Sequence, residues 1–382
     1  MALTFSRRKF LRMAGLGGAG LLLAACGVTP TVTPSPTRDL TTTPDITPQP
    51  TPRLAVQTLG YYTGSPEAYQ AVLNFYDYLS IVSVDVYAVQ FDGSIAGADE
   101  YNVLAFTREH AIKTYACVSN YNSDPAVDEF DPALAHAAVV THKDETIRSL
   151  VTLARDGGFD GINIDFEGLA YSENIEDDRA SFNVFIQDLA GQLHALGLQL
   201  IVCVPGKTED NPQDSWGYPL DLAFLGAQAD MLQLMTYDEH GPWGEPGPVS
   251  GVDWVEACLR FTTGLVDPVK LLIGLPAYGY DWDLTASDPE SGVYSAQYVS
   301  WRDFPFIESQ LGVVSHWDSP SQSPYLYFTR AGHEHVLWYE TPMSIAYKLA
   351  LIAQYQLAGL SVWALGLEDI HFWQGIAEEL IP

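Results

Sequence analysis

Basic residues are scarce in this chain. Its 382 residues hold 18 Lys and Arg against 48 Asp and Glu, a formal charge of −30. A nucleic-acid partner is excluded, because such proteins neutralise phosphates with Lys and Arg. A tightly held polyanionic polymer is disfavoured on the same ground, whereas a neutral polysaccharide meets no such penalty. Cysteine is scarce as well, with only Cys26, Cys117, Cys203 and Cys258. Cys26 falls in a targeting segment. The other three cannot all pair and match no metal spacing, so buried free thiols are expected. A long apolar run near the start is also missing: residues 13–25 are apolar but too short to span a membrane. No Gly-rich phosphate loop follows the first strand-like run, which counts against an open dinucleotide-binding sheet.

Aromatic side chains are plentiful, at 12% with 9 Trp and 21 Tyr. Apolar sugar faces pack on such rings, so the excess leans towards carbohydrate.

The first 53 residues do not read as part of a fold. Ser6-Arg7-Arg8-Lys9-Phe10-Leu11 resembles a twin-arginine export signal. Leu23-Ala24-Ala25-Cys26 resembles a lipobox, which implies cleavage before Cys26 and acylation of its thiol. Residues 1–26 are therefore expected to export the protein and anchor it, by lipid alone, outside the cytoplasm. Loss of residues 1–25 removes Arg7, Arg8, Lys9 and Arg12 and no acid, leaving 14 basic and 48 acidic residues, or −34. Residues 27–53 form a Thr/Pro-rich linker, with seven Pro and nine Thr between 28 and 52. Such a segment cannot bury a core and stays extended. As polyproline-like chain it reaches up to about 80 Å.

From residue 54 onward, strand-like and helix-like runs alternate in the rhythm of a parallel sheet. Strands are expected at 56–62, 81–89, 112–120, 159–167, 198–204, 231–237, 270–278 and 360–365. Helices are expected at 144–156, 178–196, 254–263 and 342–358. In the second of these, Phe182, Phe185, Ile186, Leu189, Leu193 and Leu196 recur at helical spacing. Eight strands with intervening helices fit an α/β chain folded as a (β/α)8 TIM barrel. Residues 281–337 are too long for a plain loop and read as an insertion after the seventh strand. Within it, two strands flank Gly332. His333 and His335 sit two apart there, and are read as hairpin residues because two ligands do not make a metal site.

One stretch organises the rest: Phe159-Asp160-Gly161-Ile162-Asn163-Ile164-Asp165-Phe166-Glu167. Side chains of a strand alternate between faces. Ile162, Ile164 and Phe166 share one face, while Asn163, Asp165 and Glu167 form a polar column on the other, spaced about 6–7 Å apart. Burying such a column is costly unless each group has partners.

Asp160, Gly161, Asp165 and Glu167 together resemble the fourth-strand signature of glycoside hydrolase family 18, the chitinase-like TIM barrels. Met235-Thr236-Tyr237-Asp238 resembles the family's sixth-strand motif, and Gly274-Leu275-Pro276-Ala277-Tyr278-Gly279 its seventh-strand motif. Ser361-Val362-Trp363-Ala364 places Trp363 where the family has a Trp flooring the cleaved sugar's subsite. The resemblance spans about residues 54–381. It departs at Asn163, where the family often has a further Asp. Asn also occurs there in branches acting on spore cortex and related wall glycans.

The resemblance implies an α+β insertion domain at 281–337 that forms one wall of a substrate groove. It implies a substrate-assisted retaining mechanism, in which the substrate's N-acetyl group attacks the anomeric carbon. Glu167 is then the expected general acid and later base. Asp165 orients the acetamido nitrogen, Tyr237 holds the acetamido carbonyl, and Asp238 helps position that group. Trp363 and Met235 are expected at the sugar, with Asn163 donating a hydrogen bond to Asp165. Tyr61, Tyr62 and Asn120, at the ends of the first and third strands, are expected to line the cleft. No metal or organic cofactor is implied. The expected partner is a polysaccharide containing β-1,4-linked N-acetylglucosamine, such as chitin or peptidoglycan glycan, acted on by a monomer. The alternative is a chitinase-like lectin that binds such glycans without cleaving them; the intact Glu167 favours the enzyme.

Overall fold

The computed structural model describes residues 56–310 and 312–380. The expected export signal, Cys26 and the linker 27–53 lie outside the described residues. Eight parallel strands run in chain order: β1 (Gln57–Tyr62), β2 (Ile81–Val89), β3 (Lys113–Ser119), β4 (Gly161–Asp165), β5 (Gln199–Pro205), β6 (Met231–Met235), β7 (Leu271–Pro276) and β8 (Gly359–Trp363). Each pairs with its neighbour in sequence. β1 pairs with β2 on one side and with β8 on the other, where Gln57 faces Gly359, so the sheet closes. The fold is the expected (β/α)8 barrel.

A closed sheet wrapped in helices has no wet face, which is why β4 is buried along its whole length. Gly161 is required at its start. A Cβ there would sit 1.9 Å from the carbonyl oxygen of Gln199 on β5.

The helix after β4, Ile175–Ala195, shows how the outer layer is specified. The Asn174 side chain accepts from the amide of Glu176, and Glu176, Asp177 and Asp178 fill the first turn. Acids there suit the positive end of the helix dipole. Phe182, Phe185, Ile186, Leu189 and Leu193 are buried against the barrel. Helices Pro66–Phe75, Val103–Glu109, Leu222–Gln228 and Ile370–Leu380 add to the layer at places where none was expected.

Between β7 and β8 stands a second, antiparallel sheet of five strands. Its spatial order is Ala296–Ser300, Tyr278–Asp283, His333–Trp338, Ser323–Arg330 and Val314–Asp318. Its first strand starts at Tyr278, with only Ala277 separating it from β7. The expected seventh strand, 270–278, overlaps this one at Tyr278 alone, and only the last hairpin of the second sheet was expected. Buried Asp281 ties the sheet together: His335 Nδ1 lies 2.8 Å away, Arg330 donates at 2.6 Å and Gln297 at 2.8 Å. His333 lies 2.7 Å from Asp283. The two histidines thus serve cross-strand carboxylates. Cys117, Cys203 and Cys258 are buried free thiols, as expected.

Candidate active site

The barrel interior is built in layers, with alternate strands contributing to each layer. One layer is polar and uncharged. It holds Ser83 of β2, Asn163 of β4, Gln233 of β6 and Ser361 of β8, all fully buried. Asn163 Nδ2 donates to Ser83 Oγ at 2.9 Å and to the Tyr61 hydroxyl at 3.0 Å. Cys203 Sγ donates to Asn163 Oδ1 at 3.3 Å. Gln233 accepts from Tyr61 at 3.4 Å and donates to Ser361 Oγ at 2.9 Å. This corrects the expectation for Asn163. An amide nitrogen has two hydrogens, and Tyr61 and Ser83 take both, so none goes to Asp165 or to a bound sugar.

Two residues further along the same strands, the chemistry changes. Asp85 of β2, Asp165 of β4, Met235 of β6 and Trp363 of β8 follow, each at most 4% exposed. One ligand atom each from Asp85, Cys117 and Asp165 all lie within 4.8 Å of one another. The sequence reading missed Asp85. The signal was present, because Ser83 and Asp85 alternate with Val82 and Val84 in β2 as Asn163 and Asp165 alternate with Ile162 and Ile164 in β4.

Glu167 lies two residues past Asp165 and is 3% exposed. Its main chain is held from β3. Asn120 Oδ1 accepts from the Glu167 amide at 2.8 Å, and Asn120 Nδ2 donates to the Glu167 carbonyl at 2.8 Å. A third bond runs from Asn120 Nδ2 to the carbonyl of Asp131 at 3.2 Å. Asn120 was expected at the cleft wall; instead it clamps the acid's backbone. On the outer face, Phe166 stacks on Phe185 with centroids 5.8 Å apart. Glu167 is therefore fixed by a clamp on one side and a ring on the other.

Tyr61 links the column to its surroundings. Its ring lies 5.2 Å from that of Trp363. Burial pushes its hydroxyl well above the ordinary 10, and Cys203, Cys117, Tyr237 and Asp165 add to the shift. Tyr62 points the other way, as its neighbour in a strand must. It is buried, and its hydroxyl is pushed up by burial and by Asp99 outside the barrel. That corrects its expected place in the cleft.

Tyr237, 3% exposed, follows β6, and its ring fits over Gly274 of β7. A Cβ at Gly274 would come 2.6 Å from that ring. Asp238 has φ +62, a left-handed conformation that Asp tolerates. Its Oδ1 accepts from the hydroxyls of Tyr278 at 2.5 Å and Tyr280 at 3.0 Å. Both tyrosines belong to the strand Tyr278–Asp283 of the second sheet, so Asp238 bolts that sheet to the barrel mouth. Tyr278 stacks on Tyr298 at 4.6 Å, extending an aromatic wall from the barrel. Trp363 joins Ala364 through a cis peptide bond.

Two further acids sit nearby without joining the column. Burial pushes Glu239 up to about 7, and Asp253 and Asp318 add to the shift, while Gly251 N and Lys348 work against it. Burial also pushes Glu368 up to about 7, against hydrogen bonds from Gly366 N and Trp373 Nε1. A pocket of about 590 Å³ opens beside the column, lined by Asp85, Gln90, Glu100, Tyr121 and Asn122 among others.

The model of the family described as "Glycosyl hydrolases family 18" matches residues 57–368. The chain is 34% identical over 327 residues to a Bacillus subtilis protein named uncharacterized glycosylase YvbX, covering 85% of this chain and 91% of that one. It is 26% identical over 311 residues to the cortical fragment-lytic enzyme of Bacillus subtilis, covering 81% and 70%. Among solved structures, a chitinase from Chromobacterium violaceum superposes with a TM-score of 0.78 at 34% identity, covering 86% of this chain and all of that one.

Proposed function

Given that the chain belongs to glycosyl hydrolase family 18 and is a glycoside hydrolase, we propose that it cleaves glycans containing β-1,4-linked N-acetylglucosamine by substrate-assisted retaining catalysis. The observation that carries this reading is the acidic column of β4. Asp165 and Glu167 are each 3% exposed, and the second is clamped at its backbone. Holding two carboxylates out of water is expensive, and such groups cluster where a reaction uses them.

In this reading Glu167 donates its proton to the leaving oxygen and later takes one from the incoming water. Asp165 faces the acetamido N–H and stabilises the positive charge that develops there. Tyr237 holds the acetamido oxygen in line with the anomeric carbon. Trp363 supports the ring of the reacting sugar. Asp238 acts at one remove, through the tyrosines of the insertion. The test is to incubate the full chain with N-acetylchitooligosaccharides and with purified peptidoglycan, and to identify products by mass and by anomeric configuration. Products that keep the β-configuration are expected. Release of the α-anomer first would mean direct displacement by water, and rapid cleavage of fully de-acetylated chains would require a protein nucleophile; either result removes the acetamido mechanism.

We also propose that residues 1–26 export the chain as a lipoprotein anchored through Cys26. The support lies in the motif sequence alone. Cys26→Ala should move the protein from the membrane fraction to the soluble one, and an unchanged distribution would remove the anchor from this reading.

A further inference from the structure

Asp85 and Asp165 come from alternate barrel strands to one place. Each offers an oxygen within 4.8 Å of the other's and of the Cys117 thiol. They are 4% and 3% exposed. Two carboxylates this close in a dry interior repel when both are charged, and they relax by holding one proton between them. Asn163, below Asp165 on the same strand, cannot take that proton, and its N–H groups are committed to Tyr61 and Ser83.

We propose that Asp85 is the acid that shares a proton with Asp165 and so sets the pH range over which Asp165 is charged. The proposal rests on the reading of Asp165 given above. Asp85 acts through Asp165, so it is a positioning residue. Its place is built by the backbone. The pairing of β2 with β3 shifts register between Asp85 and Tyr87, leaving Val86 as an extra residue. Such bulges re-aim side chains beside active sites. Asp85 also lines the pocket of about 590 Å³, whereas Asp165 does not. Both carboxylate oxygens of Asp85 are themselves out of contact with water.

The proton balance closes. The pair holds one proton at the start. Glu167 passes its own proton to the leaving oxygen as the glycosidic bond breaks, and the acetamido oxygen bonds to the anomeric carbon. Asp165 meets the resulting positive N–H as a carboxylate, with the shared proton resting on Asp85. Water then attacks the anomeric carbon, breaks the new bond and returns a proton to Glu167. The pair ends as it began.

Other titratable groups face the pair. Cys117, Tyr61, Cys203 and Tyr237 surround it within the barrel, and Glu167 stands above. Glu100 and Tyr121 line the pocket side. Thiols and phenols ordinarily titrate at about 8.5 and 10, so carboxyls dominate between pH 4 and 8.

The experiment compares the full chain with Asp85→Asn, using an N-acetylchitooligosaccharide as substrate. Losing the proton that Asp85 shares with the Asp165 carboxylate should move the acidic limb of the kcat profile up by about one unit or more, with KM held within about threefold. Asn163→Asp added to Asp85→Asn returns a carboxyl next to Asp165 and should move the limb back. A second readout needs no turnover. The melting temperature of Asp85→Asn, relative to the parent, should rise between pH 4.5 and pH 8 by about 2 °C or more, because the repulsion is gone. An unmoved acidic limb together with a flat melting difference overturns the proposal. So does loss of activity in EDTA that zinc restores, since a cation would then neutralise the pair. If neither the parent nor Glu167→Gln cleaves any substrate, the proposed function fails, while the melting comparison still decides the pairing.

Discussion

Two layers of the barrel interior, two residues apart along the same strands, do opposite things. The lower layer is neutral. Ser83, Asn163, Gln233 and Ser361 form one hydrogen-bonded network with Tyr61. The upper layer is acidic, and Asp85 and Asp165 sit there with Glu167 above. Both layers are equally buried, so burial alone does not distinguish structure from chemistry. What distinguishes them is how the polar groups are balanced. A satisfied neutral network is cheap to bury and rigid, whereas close buried carboxylates are costly and are kept where a reaction draws on them.

The sharpest way to break the contrast is to remove the acid's proton. Glu167→Gln should lower kcat by about 10²–10⁴-fold, the usual worth of a general acid, while glycan binding measured by calorimetry persists. Turnover equal to the parent's would move the acid elsewhere. Asn120→Ala comes next. It frees the Glu167 backbone and strands a buried amide and carbonyl, so about 1–3 kcal/mol of stability should go, together with a fall in kcat larger than any change in KM. A variant that melts earlier but keeps kcat would make Asn120 purely structural.

The lower layer should answer differently. Gln233→Leu removes a partner of both Tyr61 and Ser361, and about 1–3 kcal/mol of stability is expected to be lost. The pH profile of kcat should keep its shape, and a displaced limb would mean the two layers are coupled.

The smallest effect concerns the acids outside the column. Glu239 and Glu368 are pushed up to about 7 by burial. A raised carboxyl keeps its proton in the folded state after the unfolded chain has lost it. Its stabilising contribution is therefore full below about 4.5, falls as pH rises to 7, and is flat above. The melting temperature should decline across that window, and Glu368→Gln should shallow the decline. An equal slope in the variant would assign the titration to other groups.

Much of this was legible in the residues. The eight barrel strands lie within two residues of where hydrophobic alternation puts them, because each is buried on both sides and bounded by polar turns. The acidic column was legible for the same reason. Asp85 was overlooked although its strand carries the same alternation, because no motif drew attention to it. The partners of Asn163 and the surroundings of Tyr62 were not recoverable from residue type. Both are polar residues at strand positions, and only the closed barrel decides which partners they meet. The second sheet was largely hidden. Tyr278–Asp283 follows β7 with one residue between, so no turn marks its start, and it carries acids that only cross-strand partners such as His335 and Arg330 satisfy.

The closure of β1 on β8 has a consequence in time. Gln57 finds its partner Gly359 about 300 residues later in the chain. At a synthesis rate of about 5–20 residues per second, one edge of β1 waits roughly 15–60 s for that partner. An unpaired parallel edge is a template for the wrong neighbour. A newborn chain of this kind is most exposed to aggregation during its own manufacture, and slowing synthesis between residues 62 and 359 should lower its soluble yield.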